Sequence, residues 1–449
     1  MILNIEAPLS EISDTLPSAS VPLEQPVQVS TVSYDYFGIT FLAMGQGDCV
    51  IIRCPNGKVV MVDCGSKAYL DYGLTVNAQQ IIRAICKDNA NKIDALIFTH
   101  HDKDHYNVLK TIVGEFTWIN TTTQETLHKF DALEVENVYF SSLSHTGISP
   151  LYHYSINGVG SDIYNGTFKT KKLHEVTINK DSSTCRIWER DFSNTTQLIY
   201  NPTTENIIGS RKYVFSSEVH EKKKWSISII AGNVVKENHL EVDKSVTPDN
   251  SASLVVLLQY ETAKALLCGD STMSTESFLL SRHGNLIENV ELVQVPHHGS
   301  KSSSSQPLVN KTNPKVAVIS VGQMETSHKL PVYDVVDRWA EKMNKRPAIV
   351  TAEHFCDSWY KNPQKAVEVL KSWHDKGYAV FEKQDDQKRV AYYFLDPIRE
   401  DYAEYVVSAS GSLLYRDKFS TPLWLTSNLG QWGRYQNKFL TFTLPLTNY

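Results

Sequence analysis

The feature that most constrains this chain is an apolar run that ends in a cluster of metal-binding side chains. Residues Ile93–Thr99 favour a buried strand, because they are mostly apolar and rich in residues of high β-propensity. Five of the next six residues carry imidazole or carboxylate groups: His100, His101, Asp102, Asp104 and His105. Imidazole and carboxylate together suit a divalent transition ion, and several carboxylates allow a pair of ions. This density favours a metal site over the alternative, a solvated polar turn.

Four other apolar strands are predicted to end in the same kind of residue. The groups that follow them are Asp63, Asp270, the pair His297-His298, and His328. If the strands belong to two packed sheets, their ends can converge on one edge. The sequence therefore predicts one dinuclear metal site, assembled from segments that are far apart in the chain.

Length, charge and cysteine content limit the classes of protein to consider. The 449 residues are 41% hydrophobic and contain no apolar run of membrane-spanning length, so we expect a globular protein without membrane contact. The net charge of −6 argues against general attraction to nucleic acid. Between Phe168 and Lys224, however, eleven Lys and Arg face seven Asp and Glu, which could meet an anion or form solvated loops. The seven cysteines include no C-x-x-C pair, so reduced core cysteines and a cytoplasmic location are expected.

An ordered set of motifs resembles a known family. The pattern H-x-D-x-D-H at positions 100–105, preceded by V-D-C-G and followed by L-L-C-G-D-S, is similar to that of the metallo-β-lactamase superfamily. More narrowly, G-Q-G-D-C-V-I-I-R, N-S-A-S-L-V-V-L-L, V-P-H-H-G-S and S-H-K-L-P resemble motifs of the ComEC-like hydrolase domain, which belongs to the DNA-uptake channel of competent bacteria. The resemblance implies an α/β fold, the four-layer αββα metallo-β-lactamase sandwich with a long insertion and a C-terminal extension.

The expected domain organisation follows from the extent of these motifs. We expect a flexible N-terminal arm at residues 1–33 and a metallo-β-lactamase-fold hydrolase domain at 34–398. An irregular insertion at about 116–224 interrupts that domain, and residues 399–449 form a β-rich extension. Because the membrane helices of the uptake channel have no counterpart here, the resemblance is to a free-standing relative, and the competence role does not transfer.

The resemblance also implies roles for individual residues. His100 and Asp102 would serve one metal ion, Asp104 and His105 the other, Asp270 would bridge both, and His297 would complete the second. His297 is preferred over His298 because it directly ends the strand, whereas His298 could support a ligand or face the substrate. Catalytic roles fall to Asp104 and to His328, a candidate general acid.

Three further residues are expected beside the ligands. Asp63 would orient a ligand imidazole. Asp48 is expected to fix its loop by hydrogen bonds, with a contact to the site as the alternative. Ser300, next to the two histidines, is a candidate for contact with the substrate or with a ligand.

Two departures from the superfamily pattern bear on the choice of metal. Asp102 stands where most members have histidine. The further histidine that most members carry before the Gly-Asp motif is also missing, because that position falls in Asp249-Asn250-Ser251 and the nearest histidine is His239. Since the site is richer in oxygen, Mn²⁺ or Mg²⁺ is expected as its pair of divalent ions, with Zn²⁺ as the alternative.

The expected function is a phosphodiesterase, and more specifically a nuclease, that uses a hydroxide activated by two metal ions. Its substrate would be a nucleic acid or a nucleotide, and a regulatory protein partner is an open possibility. Hydrolysis of a lactone, thioester or β-lactam is the alternative, because the same hydroxide attacks carbonyl groups equally well. A non-catalytic scaffold that retains a metal site is the third hypothesis.

Overall fold

The structure of the chain is a computed structural model. It describes residues 34, 36–42, 44, 47–66, 72–120, 122–141, 170–178, 185–191, 200–205, 211–232, 234, 248–320, 330–343, 348–350, 381–384, 390–396, 401–407, 413–414 and 439–445. The expected N-terminal arm at residues 1–33 and His328 lie outside these ranges.

Strands dominate the part of the chain that the structure describes. In chain order they are β1 (Phe37–Leu42), β2 (Val50–Arg53), β3 (Val59–Val62), β4 (Lys92–Phe98), β5 (Phe116–Ile119), β6 (Thr126–Phe130), β7 (Glu134–Ser141), β8 (Thr170–Ile178), β9 (Cys185–Asp191), β10 (Tyr200–Glu205), β11 (Lys212–Ser216), β12 (Trp225–Ala231), β13 (Val255–Tyr260), β14 (Ala263–Leu267), β15 (Leu292–Gln294), β16 (Val316–Ser320), β17 (Ala348–Val350), β18 (Phe381–Gln384), β19 (Val390–Asp396), β20 (Asp401–Val407), β21 (Leu413–Leu414) and β22 (Phe439–Leu444).

Helices connect many of these strands. Those in the described ranges are α1 (Tyr72–Lys87), α2 (Leu109–Val113), α3 (Pro248–Ser251), α4 (Met273–His283), α5 (Gln306–Thr312) and α6 (Tyr333–Met343). Two 3₁₀ turns, Lys103–His105 and Pro296–Gly299, carry histidines of interest. None of the described helices is both long enough and apolar enough to cross a lipid bilayer.

Two large sheets form the centre of the fold. The first has nine strands in the order β10-β9-β8-β7-β4-β3-β2-β1-β22, and the second has seven in the order β11-β12-β13-β14-β15-β16-β17. Strands β3, β4 and β7 are parallel in the first sheet, and β14, β15, β16 and β17 are parallel in the second. The carboxyl ends of parallel strands share an edge, so the residues that follow them meet there.

Alternating side chains place each sheet between two layers. In β3, Val60 and Val62 belong to a core shared with the second sheet, whereas Val59 and Met61 pack on the side of α1 and α2. The helices α4, α5 and α6 cover the second sheet, where Trp339 is fully buried. The layers therefore follow the order helix, sheet, sheet, helix, which confirms the α/β, αββα sandwich expected from the sequence.

Part of the region expected to be an irregular insertion extends the first sheet. Strand β7 pairs in parallel with β4, and β8, β9 and β10 continue the sheet outwards. The sequence hides this regularity because polar residues occupy core positions. In β8, His174 is buried, hydrogen-bonds Asn137 at 3.0 Å and stacks on Tyr139.

Strands from the second half of the chain also join across the expected domain boundaries. Strand β19 pairs with β20, on the other side of the expected boundary at residues 398 and 399. Strand β22 pairs with β1 and forms the edge of the nine-stranded sheet. In the described part of the chain, Cys49, Cys54, Cys64, Cys86 and Cys268 are free thiols and all are buried, as expected for reduced core residues.

Three turns at the carboxyl edge of the first sheet pack backbone against backbone. The amide of Cys64 donates to the carbonyl of His105 at 2.8 Å, that of Gly65 to Asp48 at 3.0 Å, and that of Asp48 to Asp104 at 3.2 Å. A Cβ atom at Gly65 would lie 2.2 Å from the carbonyl carbon of Asp104, which is far inside contact distance. Only glycine at this position lets the turn around Asp104 and His105 approach so closely.

We expect Gly65→Ala to destabilise the protein, because the new methyl group must push rigid backbone aside. Overpacking of this kind costs about 1–3 kcal/mol or more, which a urea titration followed by circular dichroism would measure. Gly38→Ala is the matched control, since its Cβ would meet Arg53 at an ordinary 3.7 Å. Equal loss of stability in both variants would contradict the close packing of the turns.

Candidate metal centre

The candidate centre lies where the carboxyl edges of the two sheets touch. The amide of Leu254 in the second sheet donates to the carbonyl of Thr99, which follows β4 of the first, at 2.8 Å. Gly269 approaches Thr99 so closely that a Cβ there would lie 2.6 Å from the Thr99 Cβ. This contact brings Asp270, which follows β14, next to the histidines that follow β4.

Four buried side chains direct ligand atoms at one point. Asp48, His105, Asp270 and His298 each offer one atom, and these atoms all lie within 4.8 Å of one another. The Oδ1 atom of Asp270 lies 3.3 Å from the Nε2 atoms of both His105 and His298. The four side chains come from four turns of the chain and from both sheets.

These donors fit a bound cation, as judged from their own hydrogen bonding. The atoms Asp48 Oδ1, His105 Nε2, Asp270 Oδ1 and His298 Nε2 are buried and have no hydrogen-bond partner. Leaving a buried polar atom without a partner costs free energy, and the cost is larger when the group is charged. A divalent ion coordinated by these atoms would remove that cost, and carboxylate with imidazole is a suitable donor set.

Further predicted ligands surround this cluster. The Nε2 atom of His100 lies 3.6 Å from Asp102 Oδ2 and 3.9 Å from Asp270 Oδ2. The Nε2 atom of His297 lies 3.6 Å from Asp270 Oδ2. Near the other oxygen of Asp270, Oδ1, His298 Nε2 lies 3.7 Å from Asp104 Oδ2. The structure thus brings together all six residues predicted as metal ligands and adds Asp48 and His298.

Asp63 holds the ring of His105 in one orientation. Its Oδ2 atom lies 2.8 Å from His105 Nδ1 and accepts a hydrogen bond from Thr99 Oγ1 at 2.7 Å. Its Oδ1 atom accepts the backbone N–H of Thr99 at 2.7 Å. Because the carboxylate accepts a hydrogen bond from Nδ1–H, the Nε2 atom of His105 keeps its lone pair, which points into the cluster.

The two adjacent histidines are held in a similar way. His298 Nδ1 lies 2.8 Å from the carbonyl oxygen of Ser320, at the carboxyl end of β16. His297 Nδ1 lies 3.0 Å from Ser302 Oγ, and its Nε2 lies 3.0 Å from the side-chain nitrogen of Asn250. Ser300, predicted near the centre, has its hydroxyl 3.0 Å from that of Ser302. Both imidazoles therefore turn Nε2, and not Nδ1, towards Asp270.

Burial and mutual charge determine how these groups ionise. Burial opposes a charge on Asp270, but three neighbouring imidazoles, first that of His298, hold the pKa of Asp270 well below its usual value. Burial also opposes a charged His105, yet the carboxylates of Asp270 and Asp63 raise the pKa of His105 well above its usual value. The second proton on His105 therefore balances the buried carboxylates, and a bound cation would displace it.

Comparison with known protein families agrees with this picture. Residues 42–175 match the family described as the metallo-beta-lactamase superfamily. That span includes Asp48, Asp63 and the turn from His100 to His105, while Asp270 and His298 come from the second sheet.

Two curated relatives match a shorter stretch. The chain is 37% identical over 101 residues to the protein YcaI of Escherichia coli K12, and 37% identical over 90 residues to Recombination protein 2 of Haemophilus influenzae. These matches cover 22% and 20% of this chain, and 13% and 11% of the two relatives. The chain thus spans only a small part of the length of these two relatives.

Solved structures superpose only loosely. Human tRNase Z, short form, aligns with a TM-score of 0.32 and 10% identity over 64% of this chain and 93% of that one. Zn²⁺-bound PqqB from Methylobacterium extorquens aligns with a TM-score of 0.31 and 9% identity over 70% and 97%. The match to the metallo-beta-lactamase superfamily is therefore a match of residues 42–175. The layer order of the two sheets and the converging side chains agree with it.

Proposed function

We propose that this protein is a metal-dependent hydrolase that cleaves phosphodiesters, with nucleic acid as its substrate. The observation that carries the proposal is the group of four buried ligand atoms that face one another without hydrogen-bond partners. Groups of this kind are normally retained in proteins when a cation coordinates them. Perturbed ionisable groups at a rim of loops are also typical of catalytic sites.

The centre would hold two divalent ions. The residues available to hold them are His100, Asp102, Asp104, His105, Asp270, His297 and His298, with Asp48 at the back of the cluster. Because carboxylates make up half of this set, we favour Mn²⁺ or Mg²⁺ over Zn²⁺. When bound, such ions supply Lewis acidity, which polarises a phosphoryl group and makes water acidic enough to attack near neutral pH.

The residues of the chain would divide the remaining work. Asp63 and Thr99 keep His105 in the required tautomer, as their hydrogen bonds indicate. Asp104 is more exposed than Asp270, at 13% against 5%, so its carboxylate is better placed to hold the proton of an attacking water. His328 is proposed, on the resemblance alone, to protonate the leaving oxygen.

The choice of nucleic acid is supported by the name of one relative and not by the lysines at the end of the basic segment. One relative is called Recombination protein 2, a name that refers to a process on DNA. Lys222 and Lys223 are exposed, but their turn lies beside Glu261, before the amino end of β14, whereas Asp270 follows its carboxyl end. These lysines therefore sit at the far end of the sheet from the centre. We further propose a reducing, cytoplasmic setting, which the buried free thiols support.

Purified protein should cleave single- or double-stranded DNA, or RNA, when Mn²⁺ is supplied. Asp270→Asn should lower the rate at least about 100-fold, because the substitution removes a charged ligand that faces four imidazoles. Asp334→Asn is the matched control, since Asp334 is exposed in the first turn of α6. Gel-based cleavage assays of the wild type and both variants would make the measurement.

Parallel assays with a chromogenic β-lactam, a lactone and a thioester separate the competing hypotheses. Turnover of these compounds without cleavage of any nucleic acid would replace the phosphodiesterase proposal. Stoichiometric metal binding with no turnover of any ester would favour a non-catalytic scaffold.

Metal binding itself should stabilise the fold. At a free Mn²⁺ concentration about 100 times Kd, one site that binds only the folded protein adds about 2.7 kcal/mol to the free energy of unfolding. We expect the melting temperature to fall on treatment with a chelator and to recover with Mn²⁺ or Mg²⁺, as measured by calorimetry. Recovery of stability and activity with Zn²⁺ alone would contradict the preference for harder ions.

Asp63→Asn should weaken metal binding. Asparagine is chosen because the backbone at this position is left-handed, with φ of 57°, and asparagine adopts that conformation readily. The new amide can donate to His105 Nδ1, which favours the tautomer with a proton on Nε2, and losses of this type reach about 10–100-fold in metal affinity. Isothermal titration with Mn²⁺ would test it. Asp94→Asn is the control. Asp94 is equally buried and accepts a hydrogen bond from the amide of Val59 at 2.8 Å, but it lies at the amino end of β4, away from the centre. This variant should therefore change stability and leave metal affinity unaltered.

A further inference from the structure

The pair His297 and His298 occupies an unusual stretch of backbone. Both residues have left-handed conformations, with φ and ψ of 52° and 46° at His297 and 51° and 25° at His298. This conformation is disfavoured for residues with a Cβ atom, so the surrounding structure must hold it in place. Hydrogen bonds hold it in place, because the amide of His297 donates to Gly269 at 2.9 Å and its carbonyl accepts the amide of Ser300 at 2.8 Å. As a result the two rings diverge, with centroids 6.4 Å apart and planes at 66°.

The divergent rings meet different oxygens of the same carboxylate. His298 Nε2 lies 3.3 Å from Asp270 Oδ1, and His297 Nε2 lies 3.6 Å from Asp270 Oδ2. The Oδ1 side also contains His105, at 3.3 Å, with Asp104 beyond His298. Asp48 belongs to this group as well, and His100 and Asp102 lie on the opposite side.

On the Oδ2 side, the neighbours of His297 form a second set. His100 Nε2 lies 3.9 Å from Asp270 Oδ2 and 3.6 Å from Asp102 Oδ2. The side-chain amide of Asn250 lies 3.0 Å from His297 Nε2. An amide N–H at this distance identifies Nε2 as the ring nitrogen without a proton, and a metal ion bound there would take the place of the Asn250 amide.

We infer that the adjacent histidines serve the two metal positions separately, His298 with Asp104 and His105, and His297 with His100 and Asp102. Asp270 lies between the two sets, with one oxygen towards each. The assignment rests on the proposed function, since it presupposes bound ions. It differs from the sequence-based expectation, in which His297 completes the same position as Asp104 and His105. In this assignment His297 gives the position of His100 and Asp102 a second imidazole. Most superfamily members supply that imidazole from the segment where this chain has Asn250.

A serine-rich loop orients the imidazole of His297 towards the metal position that it shares with His100 and Asp102. Ser302 Oγ engages His297 Nδ1, and the Ser302 carbonyl accepts the amide of Met273 at 3.0 Å. The buried carboxylate of Glu276 accepts the backbone amides of Ser304 and Ser305, the latter at 2.8 Å. The loop is thus tied to α4, and Ser302 acts as a positioning residue for the imidazole.

The assignment can be tested by counting Mn²⁺ ions in combined variants. The wild type should bind two ions, measured by elemental analysis after gel filtration and by the exchange-coupled EPR signal of a manganese pair. His297→Asn and Asp102→Asn should each leave one uncoupled ion, and so should their combination, because both residues serve the same position. His297→Asn combined with Asp104→Asn should bind none.

All three positions are partly exposed, at 17% for His297, 38% for Asp102 and 13% for Asp104, so the variants should fold, which circular dichroism would verify. The reverse pattern would overturn the assignment while leaving the proposed function intact. In that pattern the double variant at His297 and Asp102 binds no ion, and the double variant at His297 and Asp104 binds one. A wild type that binds a single ion would also overturn it. A wild type that binds no metal would remove the proposed function together with it.

Discussion

The free-energy cost of burying ionisable groups governs the edge where the two sheets meet. A buried carboxylate or imidazole is tolerated when other groups replace the water it has lost. Asp63 meets this condition through Thr99 and His105, and Asp94 meets it through Val59, Asn89 and Lys92. The cluster around Asp270 does not meet it by hydrogen bonds alone. The buried acids thus fall into those that hold the scaffold together and those arranged for a cation.

Two glycines and a short left-handed stretch of backbone bring the ligands of the Asp270 cluster together. Gly65 lets two turns of the first sheet touch, and Gly269 lets the second sheet approach Thr99. The left-handed backbone at His297 and His298 then aims two neighbouring side chains in different directions. Strain of this kind tends to be kept at sites where the surrounding structure fixes it and where function benefits from it. Rigid strands beneath the turns supply the support that such precision requires.

Much of this organisation could be read from the sequence. The apolar runs of β3, β4, β14 and β15 and the polar residues that follow them were enough to predict one shared edge, because parallel strands place their carboxyl ends together. The direction of His297 relative to His298 could not be predicted, since it depends on left-handed dihedral angles that the residue types do not suggest. The position of Asp48 in the cluster depends on turn-to-turn packing with Gly65. The sheet-forming role of β8 was hidden because a histidine fills a core position there.

Strand β22 has a consequence for how the protein forms. It pairs with β1 through six residue pairs, Phe37 with Leu444 to Leu42 with Phe439. Contacts this distant, about 400 residues apart in sequence, carry a high entropic cost and are expected late in folding. Until they form, β1 presents an open hydrogen-bonding edge, which is where unintended strand pairing between molecules begins. The order in which this protein is synthesised and assembled therefore bears on its solubility in the cell, independently of its chemistry.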